Sequence, residues 1–205
     1  METCVEIGKV NLKYHLSRHL LIAAAFLVMS PLLISVRNLE PAQTAQSLEM
    51  YAALIGIILL VPIFLPDQDK NIRDLTAAKY TPALKVQMVR LAESFIFLVL
   101  LLGAFTLYLK TGGCEFPVLE MYAGVLSEAF FLGGLGIAAY GLSDNVIIGY
   151  MIPIVYYATN FSGDKYLKNF YLFSMMQDRY EPKIWLACAG VVLICAGLGV
   201  RQIKR

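Results

Sequence analysis

The sequence predicts an all-α integral membrane protein with six transmembrane helices and both termini in the cytoplasm. Composition is the first observation: of 205 residues, 59% are hydrophobic and 16% charged, with mean hydropathy +0.66. Soluble domains run near ~45–50% apolar and ~25% charged. The second is the arrangement of the apolar residues in runs. A spanning helix takes roughly 20 residues to cross about 30 Å of hydrocarbon, so six use about 120 and leave only short connections. The third is charge asymmetry. With both termini inside, the outer segments hold Arg37, Lys110, Lys165, Lys168, Arg179 and Lys183, and the other eleven of the 17 Lys and Arg residues lie on the cytoplasmic side.

Residues 1–18 (METCVEIGKVNLKYHLSR) read as an amphipathic interfacial helix, with Val5, Val10, Leu12 and Leu16 set against Lys9, Lys13 and Arg18. The first span is placed at about 20–36, with Pro31 able to bend it. Its apolar core is too long for a signal peptide, and no A-x-A site follows directly. The second span covers about 51–65 and stops at Pro66-Asp67. The third covers about 91–109, the fourth about 118–142, the fifth about 146–159 and the last about 184–200, before the basic tail RQIKR. Residues 160–182 form an outer segment rich in aromatics. These favour the membrane interface, so the segment reads as interfacial or re-entrant, with Phe170, Tyr171 and Phe173 as outer-gate candidates.

Between spans two and three lies the polar block 67–90, DQDKNIRDLTAAKYTPALKVQMVR. Asn71 can cap a short helix, Asp74 suits the first-turn dipole, and Ile72, Leu75 and Ala78 share a side. Tyr80-Thr81-Pro82 ends it, because the residue before proline avoids the helical region. Pro82 suits the first turn of a new helix, which at 1.5 Å per residue would be about 42 Å long by Leu109 and would project into the cytoplasm. An ordinary solvated loop with two helical turns is the plainer alternative.

In organisation the chain resembles the membrane subunits of the ABC-2 type family of ABC transporter permeases. The resemblance covers nearly the whole chain. It rests on the amphipathic N-terminal helix, six spans, the stretch DQDKNIRDLTAAKYTP and the short connection Gly141–Asn145, together with YLKNFYLFSMMQDRYEPKIW leading into the final span. It implies that Asn71, Ile72, Arg73, Asp74, Leu75, Lys79 and Tyr80 belong to a cytoplasmic coupling helix that fits a groove on a separate ATPase subunit. It also implies pairing with a second copy or a related permease, and ATP and Mg bound by the partner subunit alone. The location would be a bacterial cytoplasmic membrane. The small size and the absence of an external domain fit export of an amphipathic peptide or lipid-like compound, or removal of an antimicrobial peptide from the membrane, with peptide favoured. The chain lacks a large external domain, so permeases that handle substrate with one are a poor guide.

Few side chains promise chemistry. Glu128 stands near the middle of the fourth span, where an ionisable group faces a bundle interior or an aqueous cavity; a pathway-lining carboxylate and a polar clasp between helices are the two readings. Glu93 is placed at the inner interface beside Arg90. Gly133, Gly134 and Gly136 give span four a small-residue face, and Gly190 and Gly197 do so in span six; helix packing within the chain is favoured over a dimer contact. His15 and His19 lack a third ligand, and the four cysteines have no paired spacing, so no metal site is expected. Asn160-Phe-Ser162 matches a glycosylation sequon. A net charge of +2 argues against nucleic-acid binding. No G-x-x-x-x-G-K-[ST], H-E-x-x-H or G-x-S-x-G motif occurs, which argues against an ATPase or an intramembrane enzyme and leaves a non-transporting scaffold or sensor as the main alternative.

Overall fold

The computed structural model describes residues 2–34, 36–68, 82–163 and 167–204, and the described residues are helical with no strand. The coupling candidates Asn71, Ile72, Arg73, Asp74, Leu75, Lys79 and Tyr80 lie outside them. Among the described residues four helices are long and apolar enough to cross a membrane: Pro41–Gln68, Ala83–Thr111, Val118–Ser143 and Glu181–Ile203. The chain is therefore built as a multi-pass membrane protein.

Helix α1 (Glu2–Asn11) runs through a π-helical turn, Leu12–Leu16, directly into α2 (Ser17–Val28). The expected interfacial lead-in and first span are thus joined without a break. Pro31 has no N–H to continue the ladder, and α2 gives way to a short α3 (Ser30–Leu33). This first apolar run holds no uninterrupted helix of spanning length.

The second span begins ten residues earlier than expected. Pro41 opens α4 (Pro41–Met50), with the Gln43 side chain accepting from the Glu40 N–H at 3.3 Å. The ladder breaks at Tyr51, passes through a 3-10 turn (Ala52–Leu54), and resumes in α5 (Ile55–Leu60) before a 3-10 stretch, Val61–Gln68. The break is satisfied from outside: Tyr157 Oη donates to the Met50 carbonyl at 2.6 Å, and Tyr51, stacked on Phe26 at 4.2 Å, donates its hydroxyl to the Phe26 carbonyl.

Pro82 caps α6 (Ala83–Thr111), a 29-residue helix about 43 Å long at 1.5 Å per residue, so the long helix expected after Pro82 is present. Pro117 precedes α7 (Val118–Ser143), which ends on Asp144 in the left-handed region at φ 54. Asn145 caps α8 (Val146–Thr159) by accepting from the Ile147 N–H at 2.9 Å. This helix has 14 residues, about 21 Å, and falls short of the hydrocarbon thickness. Pro182 lies in the first turn of α9 (Glu181–Ile203).

The core is the α4–α5 span and α7, with Leu48, Ile55, Leu59, Leu60, Leu132 and Ile137 fully buried. α9 lies against α7 along a glycine seam. A Cβ on Gly141 would meet the Gly197 carbonyl oxygen at 2.5 Å, and one on Gly197 would meet the Ile137 oxygen and carbon at 2.8 and 2.9 Å. Those neighbours are backbone and have no rotamer to yield, so the small-residue faces serve packing within the chain. Gly197→Leu is expected to lower the unfolding midpoint in detergent by an amount equivalent to about 1–3 kcal/mol. Gly199→Leu, two residues on with nothing within 4 Å of its Cβ, should leave the midpoint nearly unchanged.

Candidate functional site

Buried charge gathers at both ends of the α7–α9 pair. At the Glu181 end, Lys183 is 4% exposed, and its ammonium lies 2.7 Å from Glu49 Oε1 and 2.8 Å from Glu128 Oε2. Both carboxylates are fully buried. Three elements supply the cluster: Glu49 ends α4 just before its break, Glu128 lies at mid-height on α7, and Lys183 is in the first turn of α9. Gly124, one turn before Glu128, makes the room; a Cβ there would stand 3.5 Å from Lys183 Cγ and run into the Met175 sulfur.

The cluster also organises the outer segment. Glu49 accepts the Met175 N–H at 2.8 Å and the Met176 N–H at 3.2 Å, and Lys183 donates to the Leu172 carbonyl. Asn160, fully buried, accepts the Leu172 N–H at 2.8 Å and donates to the Tyr156 carbonyl at 2.7 Å. Its amide is engaged on both sides, which leaves the sequon match buried and without an acceptor role. Residues Tyr171 to Met175 are drawn inward by these bonds and are buried. Three ionisable groups are buried together, and Glu128 Oε1 has no hydrogen-bond partner among the described residues. A cluster buried at this cost holds only while every partner stays in place.

Of the outer-gate candidates, Tyr171 and Phe173 are buried while Phe170 is 41% exposed. Phe173 sits in an aromatic cage of Tyr157, Phe161 and Tyr171, with ring centroids 5.1–5.9 Å apart. Phe170 packs loosely on Phe131, and its carbonyl accepts from Tyr156 Oη at 2.6 Å. Glu128 is thus in the clasp geometry, bonded between helices.

At the other end a second cluster closes the root of the polar block. Arg90 pairs with Asp67 at 2.8 Å and donates to the Ile63 carbonyl at 3.3 Å, with both side chains buried. Gln87 donates to Asp67 at 3.3 Å and accepts from Gln202 at 3.2 Å, which ties the clasp to α9. Arg201 pairs with Asp144 on the α7–α8 turn and lies over the Phe64 and Tyr140 rings, at 5.3 and 5.6 Å. Glu93 does not take Arg90 as its bonded partner; it accepts from Asn11 at 2.8 Å. Burial, aided by the Arg90 and Arg18 charges, pushes the nearby His15 imidazole below its ordinary range. Among the described residues no group of His, Cys, Asp and Glu is placed to hold a metal ion.

Glu49 and Lys183 escape a reading of the sequence. Glu49 lies in PAQTAQSLEM, which looks like a polar connection, and Lys183 reads as a loop charge. A usable signal was present in each case: a lone acidic residue two positions before an apolar run, and a lone lysine immediately before another.

No protein-family model, curated protein or solved structure matches this chain.

Proposed function

We propose that the chain is a membrane-spanning permease subunit of an ABC transporter, exporting an amphipathic peptide or lipid-like compound. The energy would come from a separate ATPase subunit docked on Asn71–Lys79, with ATP and Mg held by that partner. The observation that carries this reading is the mechanical continuity between the polar block and the outer segment. Asp67 and Arg90 bracket the block and are ion-paired at its root, and Gln87–Gln202 joins that root to α9. α9 is seamed to α7 over most of its length and carries Lys183, which holds the outer segment down. A push on the block would reach the outer segment through one packed pair of helices.

In this reading α2–α3 and α8 join the four long helices to make six spans. Both termini and the block face the cytoplasm by the bias of basic residues, and α1 lies in the interface. The exposed face of α8, with Ile147, Met151, Ile154 and Val155, supports pairing with a second copy or a related permease. The membrane would be a bacterial cytoplasmic one.

The test is purification of the tagged chain from its native membrane. A P-loop ATPase subunit should accompany the wild type and be lost from Arg73→Glu and Leu75→Asp variants that retain the wild-type unfolding midpoint. Absence of any ATPase from the wild-type preparation would favour a non-transporting scaffold or sensor.

A further inference from the structure

Where the outer segment crosses α9, a cleft of two chemically distinct parts opens on the surface. The upper part, about 760 Å³, is polar and lies among Lys168, Asp178, Arg179, Glu181 and Trp185. The lower part, about 530 Å³, is apolar, formed by Phe131, Tyr156, Phe170, Ala189, Val192 and Leu193. Each volume falls in the range of about 300–1,000 Å³ typical of small-molecule sites.

The two parts are lined by neighbouring residues of the same two elements. On the turn Lys168–Phe170, held by the Tyr156–Phe170 hydrogen bond, Lys168 lines the polar part and Phe170 the apolar one. On α9, Trp185 lines the polar part, and Ala189 and Val192 follow at helical spacing in the apolar part. From Glu181 to Leu193 the helix rises about 18 Å, close to the depth of one leaflet of a hydrocarbon core about 30 Å thick. Trp185 is 55% exposed at the junction, where an indole suits the boundary between headgroups and acyl chains.

We infer that this cleft binds a zwitterionic glycerophospholipid of the outer leaflet, with its head in the polar part and one acyl chain along Ala189 and Val192. The charges select the head. Among the described residues Lys168 and Arg179, the latter also donating to Gln177 Oε1, suit a phosphate, while Asp178 and Glu181 suit an ammonium, and the two signs balance. An anionic lipid would leave the two carboxylates facing its headgroup without a counter-charge. The aromatic walls are fixed: Phe131 packs on Tyr156 at 5.2 Å, so the apolar part is already formed. The inference rests on the membrane placement of α9 and stands or falls independently of an ATPase partner.

The full chain, purified in mild detergent from membranes containing phosphatidylethanolamine and phosphatidylglycerol, is examined by native mass spectrometry. One phosphatidylethanolamine should remain bound per chain. Ala189→Trp, which fills the apolar part, should reduce that occupancy at least about tenfold, a difference of 1.4 kcal/mol. The paired reversal Lys168→Glu with Glu181→Lys retains the balance of charge and should retain the lipid, whereas Asp178→Lys with Glu181→Lys should shift retention towards phosphatidylglycerol. An unchanged unfolding midpoint in each variant separates loss of lipid from loss of fold. Equal occupancy in Ala189→Trp, a preference for phosphatidylglycerol in the wild type, or cross-linking of two copies through Val192→Cys would each overturn the assignment.

Discussion

Lys183→Met is expected to be among the most damaging single substitutions, above those in the glycine seam. It leaves Glu49 and Glu128 buried without a counter-charge, and loss of one partner of a buried ionic cluster costs about 3–5 kcal/mol. The expected result is a large fall in the detergent unfolding midpoint and in the yield of folded protein. The double variant Lys183→Met with Glu128→Gln should recover much of the loss, because Glu49 still accepts the Met175 and Met176 N–H groups. Non-recovery would mean that the lysine acts chiefly through its bond to the Leu172 carbonyl. Protease sensitivity within the outer segment, measured alongside, should rise in the single variant and return towards wild type in the double.

Arg90→Met should have a comparable effect at the opposite end. It takes the paired cation from Asp67, whose buried side chain keeps the Gln87 hydrogen bond, and frees the Ile63 carbonyl, at about 3 kcal/mol. Its signature differs from that of Lys183→Met. The lost contacts join Val61–Gln68 to α6 at the root of the polar block. Hydrogen exchange should therefore accelerate at Val61–Gln68 and in the first turns of α6, with the outer segment still protected. The paired substitution Arg90→Met with Asp67→Leu removes both charges and should return most of the stability. If it did so while ATP-dependent activity stayed low, the clasp would be needed for coupling as well as for folding.

How much was legible depended on whether a feature was local. The runs at 118–142 and 146–159 coincide with α7 and α8, because a continuous apolar stretch between turn residues marks its own ends. The long helix after Pro82 was legible from that proline and the absence of any later breaker. Residues 41–50 were not. Gln43, Thr44, Gln46, Ser47 and Glu49 carry the letters of a connection, yet Thr44, Ser47 and Glu49 turn into the protein beside Ala45 and Leu48. Burial of a polar face follows from tertiary partners, and those lie far away in sequence: Glu49 meets Met175 and Lys183, and Glu128 meets Lys183. Such pairings leave no periodic trace. Lys183 shows the consequence for topology, since it was counted with the outer-loop cations and is a buried helical residue. Removing it from that count strengthens the cytoplasmic excess of basic charge.

In the proposed permease, force on the polar block passes through α7 and α9 to the outer segment. This is tested most directly by labelling Phe173→Cys, in a background without other cysteines, with a membrane-impermeant maleimide applied from outside. The complex with the proposed ATPase subunit is reconstituted in vesicles, with and without ATP and Mg. Phe173 is 2% exposed at rest, so labelling should be slow without nucleotide and should accelerate severalfold during turnover. The acceleration should vanish in the stable pair Arg90→Met with Asp67→Leu. Labelling that is equally fast with and without ATP, or that accelerates regardless of the clasp, would contradict the account.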